Sequence, residues 1–168
     1  PYVGSHDVPR LASRADAGTS DAYHQWSEDG LPGQPGDSDA YNVSLQAYGW
    51  LLTTPGAPLL YYGDEYGEYG GADPDNRHMY RNSSTWSSLE NNLFEMIQDI
   101  GQLRSESIAL RRGVYSTVHA EANRLVYAMT HDDQTMNVIL NRGDEWDWNG
   151  FSQDDDVRFG ESVYENSI

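Results

Sequence analysis

Apolar residues recur with a helical period in two stretches of this chain and with a strand period in a third. Tyr41, Leu45, Tyr48 and Leu52 follow one another at spacings of four, three and four. That places them on one face and predicts a helix over 38–52. Asp37, Ser38 and Asp39 offer N-caps and favourable charge at its start, and Pro55-Gly56 ends it. Leu89, Leu93, Met96, Ile97, Ile100 and Leu103 make a second stripe, predicting a helix over 88–104 capped by Ser87 or Ser88. Ile108-Ala109-Leu110 continues the pattern past a bend at 105–107. From Gly113 the period falls to two. Residues 114–118, 124–130 and 135–140 read as strands, with a hairpin turn at His131-Asp132-Asp133.

Between these elements the pattern is weaker. Pro58–Tyr62 is a short apolar run, readable as a buried parallel strand. The end of another strand is expected before the loop that starts at Gly4. Strand, helix, strand make a βαβ unit, whose crossover is right-handed by rule. Residues 11–37 and 63–81 are rich in Gly, Pro, Asp, Ser and Asn and read as long loops, the first with at most a helical turn near Tyr23–Trp26. The tail from Asn141, with Trp146, Trp148 and the triplet Asp154-Asp155-Asp156, has no assignable element; the triplet lacks EF-hand spacing and reads as a solvated charge run.

Composition narrows the function. An apolar fraction of 38% supports a core, which excludes wholesale disorder. No run reaches the ~18 apolar residues of a membrane span. Pro1–Gly4 does not read as a signal peptide, and an opening on Pro1 instead of Met leads us to expect further sequence upstream. Cysteine is absent, so there is neither a disulfide framework nor a thiolate metal site. The net charge is −17, and all ten cationic side chains are Arg. Self-repulsion of that size destabilises a compact chain unless salt screens it, so the surface reads as adapted to high salt. The same field opposes nucleic acid and anionic membranes and suits a neutral substrate. It leaves the compartment open.

Four segments then form an ordered set: Val3-Gly4-Ser5-His6-Asp7, Pro55–Glu65, Gly70-Gly71-Ala72-Asp73-Pro74-Asp75-Asn76-Arg77, and Leu103-Arg104 through Arg112-Gly113. Together they resemble the C-terminal part of α-amylase family glycoside hydrolases, over roughly residues 1–140. Ser5 stands where the family's motif usually has Asn, as in neopullulanase and cyclomaltodextrinase relatives.

The resemblance implies an α/β fold, with the last βα units of a (β/α)8 barrel over 1–112 and a small antiparallel, β-sandwich-like domain over 113–168. It implies a retaining hydrolase or transglycosylase acting on α-glucans, in which two carboxylates serve as nucleophile and proton donor. In the family those come from strands four and five, so the expected partner is the N-terminal part of the barrel, and the isolated chain is expected to be inactive. Asp7 would be the third, transition-state-stabilising carboxylate. His6 would donate to a hydroxyl of the same sugar, and Asp73 and Arg77 would hold the next sugar. Calcium enters by family analogy alone, with no residue assigned and no other cofactor implied.

Taken singly, these residues have plainer readings. Asp7 could cap a turn, His6 could pack against backbone, and Asp73 and Arg77, four apart, could form a local ion pair. Asp64-Glu65 reads as an anchor for loops and Arg10 as a salt-bridge partner. Tyr23, Trp26, Tyr66 and Tyr69 could stack on sugars. Two other functions stay open: a non-catalytic carbohydrate- or partner-binding remnant, and half of a split enzyme.

Overall fold

The computed structural model describes residues 1–24, 26, 28, 30–143, 156–159 and 164–167. The chain divides into two compact units, one of Pro1–Tyr48 with Pro58–Gln98 and the other of Gly49–Ala57 with Asp99–Ile168. Helices α2 (Ser38–Thr53) and α3 (Ser88–Glu106) each begin in the first unit and end in the second.

In the first unit the segment expected to be loop contains a helix, α1, at Leu11–Ala22. Its sequence holds four alanines, the strongest helix former, but Leu11 is its only large apolar residue. No apolar stripe marks this helix, so periodicity misses it. Ala12, Ser13 and Ala22 are buried, so close approach of small side chains replaces a stripe of large ones. The turn expected near Tyr23–Trp26 includes Gln25, which lies outside the described residues.

α2 starts where the sequence predicts, with the Asp37 carboxylate accepting from the Asp39 amide at 3.0 Å. Ala40, Tyr41, Leu45 and Tyr48 form its buried face within this unit. α3 opens with a capping box. The Ser87 amide donates to Glu90 at 2.7 Å, and the Glu90 amide donates back to the Ser87 hydroxyl at 3.2 Å.

The run Pro58–Tyr62 is not the buried strand its apolar character suggests. It makes a single parallel bridge, Tyr2 to Leu59, with the Leu59 amide donating to the Pro1 carbonyl at 3.0 Å. Leu59 is 53% exposed, and Leu60 and Tyr62 are also open to solvent. A parallel strand needs neighbours on both edges and cover on both faces. Here one short segment pairs with it on one edge, which leaves a rung and not a ladder.

The second unit is built on a five-stranded sheet in the order β1 (Val114–Glu121), β2 (Arg124–His131), β3 (Gln134–Asn141), β4 (Asp156–Phe159), β5 (Tyr164–Ser167). β1, β2 and β3 pair antiparallel through two-residue loops, Ala122-Asn123 and Asp132-Asp133. Asp132 has φ 51°, the left-handed geometry such tight hairpins require. The sheet is mixed, correcting the purely antiparallel expectation: β4 lies parallel to β3, and β5 antiparallel to β4. The long connection over 142–155 permits this, since a tight turn cannot return a strand in parallel. Asp154 and Asp155 of the acidic triplet, Trp146 and Trp148 lie outside the described residues.

Val126, Tyr127, Ala128 and Met129 of β2 and Met136, Val138 and Ile139 of β3 are buried on both faces, while β1 is exposed at the edge. The short helix α4 (Ile108–Arg112) packs on β2 and β3 with Ala109 and Leu110 fully buried. Ser107 caps it, accepting from the Leu110 amide at 3.2 Å. Arg104 gathers four carbonyls that helix ends and turns leave unpaired: Leu52 at 2.7 Å, Thr54 at 3.2 Å, Leu110 at 2.9 Å and Gly56 at 2.7 Å. Among the described residues, no helix is long and apolar enough to cross a membrane.

Replacing Arg104 by Met should strand these acceptors and cost about 1–3 kcal/mol or more. Arg104→Lys, a point donor without the fork, should recover only part. Urea unfolding followed by circular dichroism checks this, and equal stability of all three proteins would contradict the account of Arg104.

Candidate functional site

The turn at Ser5–Val8 places its candidate residues outward. The Ser5 hydroxyl accepts from the Asp7 amide at 3.2 Å, which keeps the turn tight. His6 Nε2 lies 3.1 Å from Asp7 Oδ1, and both side chains are well exposed, at 63% and 72%. On a second loop, Asp73 and Arg77 form an ion pair at 2.9 Å, each about half exposed. The structure thus joins the four predicted residues as two pairs. All four present polar atoms to solvent, as ligand-binding groups must.

Beneath the turn is a buried polar frame centred on Arg10, which is 1% exposed. Its Nη1 donates to Asp64 Oδ1 at 3.0 Å and to the Tyr62 carbonyl, and its Nε donates to the Asn76 carbonyl at 2.8 Å. Its guanidinium lies over the Tyr61 and Tyr62 rings, 4.2 Å and 4.7 Å from their centroids. The Tyr48 hydroxyl donates to Asp64 Oδ2. Gly4 belongs to the same frame, because a Cβ there would come within 2.2 Å of Asp64 Oδ2. The plainer readings of Arg10 as an ion-pair partner and of Asp64 as an anchor are what the geometry shows.

Asn76 reaches the turn directly. Its side-chain amide donates to the carbonyls of His6 at 2.9 Å and Val8 at 2.8 Å. The loop that carries it is further pinned by the Arg10 amide donating to the Gly70 carbonyl at 3.0 Å, the Gly70 amide donating to Ser13 Oγ at 2.9 Å, and the Gly71 amide donating to Asp75 Oδ2 at 2.6 Å.

A second cluster supports the far end of this loop. Arg81 donates to Glu68 at 2.9 Å, to Gln34 at 2.8 Å and to Glu90. Tyr66 is fully buried; it donates to Glu68 at 2.8 Å and stacks on Trp86 at 4.4 Å. Tyr66 therefore cannot meet a sugar ring, whereas Tyr23 and Trp26 are exposed. His78 lies 3.2 Å from Asp75 and 3.7 Å from Glu68. Among the described residues, no group of three or more His, Asp or Glu side chains is placed to hold a metal ion.

Burial sets the titration of this frame. Desolvation raises the Asp64 carboxyl above its ordinary value, and the Tyr48 and Arg10 contacts only partly oppose it. Desolvation also lifts the Tyr48 hydroxyl well above its usual range, reinforced by the neighbouring Asp64 charge. Burial pulls Arg81 down, but the hydrogen bonds it donates to Glu68 and Glu90 outweigh it and leave the guanidinium above its ordinary value.

No family model matches the chain. It is 33% identical to a cyclomaltodextrinase of Geobacillus thermopakistaniensis over 147 residues, covering 85% of this chain and 21% of that protein. It is 38% identical to neopullulanase 2 of Thermoactinomyces vulgaris over 98 residues, covering 56% of this chain and 16% of that protein. Its relatives are α-amylase family enzymes. Among solved structures, a cyclic α-maltosyl-(1→6)-maltose hydrolase from Arthrobacter globiformis superimposes with a TM-score of 0.66 at 29% identity, over 84% of this chain and 27% of that one. The chain thus spans about a fifth of the length of the curated relatives it matches.

Asn76 and the Glu68–Arg81–Glu90 cluster are not found by sequence reasoning as functional parts. Their partners lie far apart in the chain and no spacing announces them. For Arg10, sequence reasoning offers only the role of a salt-bridge partner.

Arg10→Met should cost about 3–5 kcal/mol, because it leaves Asp64 buried without its cation. With a folded-state value above its unfolded one, Asp64 contributes stability that is fully present below its ordinary 3.8 and is lost as pH rises through the folded value. The deficit of the variant should therefore be largest near neutral pH and shrink on acidification, as Asp64 protonates and no longer needs a counter-charge. Thermal melts of both proteins from pH 3.5 to 8 check this; a pH-independent deficit would refute it.

Proposed function

We propose that this chain is the end of an α-amylase family glycoside hydrolase or transglycosylase that acts on α-glucans. Residues 1–112 supply the last βα units of its (β/α)8 barrel, and 113–168 the small β domain that follows. The observation that carries the reading is the exposed pair His6–Asp7 on a turn tied, through buried Asn76, to the loop bearing Asp73 and Arg77. The motif order and the cyclomaltodextrinase and neopullulanase likenesses support it. The exposed apolar surface of Tyr2, Leu59, Leu60 and Tyr62 fits burial by the remaining barrel strands.

On this reading Asp7 accepts hydrogen bonds from vicinal hydroxyls of the sugar at the cleavage point, one or two per carboxylate. These tighten as the ring flattens toward an oxocarbenium ion, and the Asp7 charge opposes the developing positive charge. His6 donates to a hydroxyl of the same sugar. Arg77 and Asp73 hold the next sugar toward the non-reducing end. Nucleophile and proton donor come from the preceding part of the polypeptide, so the 168 residues alone bind without turnover.

In the polypeptide encoded by the complete reading frame, Asp7→Asn should lower kcat on a maltooligosaccharide by on the order of 10²–10³-fold, with a smaller change in KM. An unchanged kcat would remove Asp7 from the mechanism. Failure of the whole polypeptide to cleave or transfer any α-glucan would overturn the assignment, as would turnover of starch by the 168-residue chain alone.

The surface charge makes a separate prediction. At −17 with only Arg as cation, the folded chain is expected to depend on screening, which shortens the range of repulsion from ~10 Å at 0.1 M salt to ~3 Å at 1 M. Melting temperature should climb between 0.1 M and 2 M KCl. A flat or falling profile would count against adaptation to high salt.

A further inference from the structure

We infer that Asn76 is a positioning residue, whose amide fixes the turn presenting Asp7 and couples it to the loop presenting Asp73 and Arg77. The inference rests on the proposed glucan site and adds the part that regulates its geometry. Asn76 is fully buried, and its two amide hydrogens go to two carbonyls, those of His6 and Val8. These are the carbonyls of the residues on either side of Asp7. One planar group therefore spans the residue whose carboxylate would meet the sugar. Both partners are acceptors, so the nitrogen must face the turn and the orientation of the amide is settled. Asn76 is itself held from behind, where its own carbonyl accepts from Arg10 Nε at 2.8 Å. The next residue along the chain is Arg77, paired with Asp73.

The rest of the turn is weakly self-sufficient. The Val8 amide donates to the Ser5 carbonyl at a long 3.4 Å, and the Asp7 amide to the Ser5 hydroxyl at 3.2 Å. No regular element continues through it. Two charge-neutral bonds from Asn76 thus restrict a segment that would otherwise reorient freely about Asp7, and a displaced carboxylate is costly for catalysis. No other side chain duplicates the job. Asp has the same shape but, ionised, only accepts; Ser and Ala do not span two carbonyls; Gln has the donors on a longer stem.

Amide hydrogen exchange on the 168-residue chain tests this without any substrate. At pH 7, Asn76→Asp should speed exchange of the Ser5–Arg10 and Asp73–His78 segments about tenfold or more, while β2 and β3 keep wild-type protection. Below the titration of the new carboxyl, one donor returns and part of the protection, corrected for the intrinsic pH dependence of exchange, should return with it. Asn76→Gln should fall between wild type and Asn76→Asp. Wild-type exchange in the two segments of Asn76→Asp would overturn the inference. So would loss of protection throughout β2 and β3 in both variants, which would make Asn76 a general structural residue. In the complete polypeptide the same substitution should lower kcat by about tenfold or more and recover at acid pH relative to wild type. Absence of α-glucan turnover in the wild-type polypeptide would defeat the functional reading, while the exchange experiment would still decide the role of Asn76.

Discussion

The first unit is organised around one buried charge that must not be left alone. Arg10 and Asp64 are both out of water, and an isolated ion in that setting costs several kcal/mol even after relaxation. Everything near them answers that constraint. Tyr48 takes the second Asp64 oxygen, the Tyr62 and Asn76 carbonyls accept from Arg10 Nη1 and Nε, and two tyrosine rings face the guanidinium, whose Nη2 is buried without a hydrogen-bond partner among the described residues. Gly4 is the size it is because Asp64 needs the room. The exposed residues that carry the candidate chemistry are thereby mounted on a polar frame, which is directional, and not on an apolar core, which is not. Direction is what a carboxylate aimed at a sugar requires.

What the sequence revealed depended on the range of the interaction. α2 and α3 follow from periodicity, because each buries a stripe of its own residues, and the first three strands follow from short β-rich runs set between turn residues, although β1 is exposed and β2 and β3 are buried on both faces. Their caps were readable too, since Asp37 and the Ser87–Glu90 box act within three residues. α1 escapes because Leu11 is its only large apolar residue and, among its described side chains, those that are buried are the small Ala12, Ser13 and Ala22. Pro58–Tyr62 misled in the opposite direction. Its apolar character suggests burial, but the single rung to Tyr2 does not bury it. The parallel entry of β4 beside β3 has no periodic signal in the sequence to announce it.

For the site, motif order points to His6, Asp7, Asp73 and Arg77, and the structure places each on an accessible surface, His6 beside Asp7 and Asp73 in an ion pair with Arg77. The residues that hold them were invisible because they act across 50 to 70 positions: Arg10 to Asp64, Asn76 to His6 and Val8. A one-dimensional pattern encodes what a residue does to its neighbours in sequence. It does not encode two segments meeting at a shared amide.

The cations of the interior have a chemical consequence of their own. Arg10, Arg81 and Arg104 each serve several acceptors at once, work that suits the planar fork of a guanidinium. A guanidinium keeps its proton at any pH a protein survives. The phenols packed beside them, Tyr48, Tyr66 and Tyr127, hold their protons beyond the ordinary range. With no lysine anywhere in the chain, this internal scaffold has no ammonium to neutralise in mild alkali and no side-chain amine for acylating or aldehyde reagents to reach. Its cohesion is, in that sense, chemically inert on the basic side.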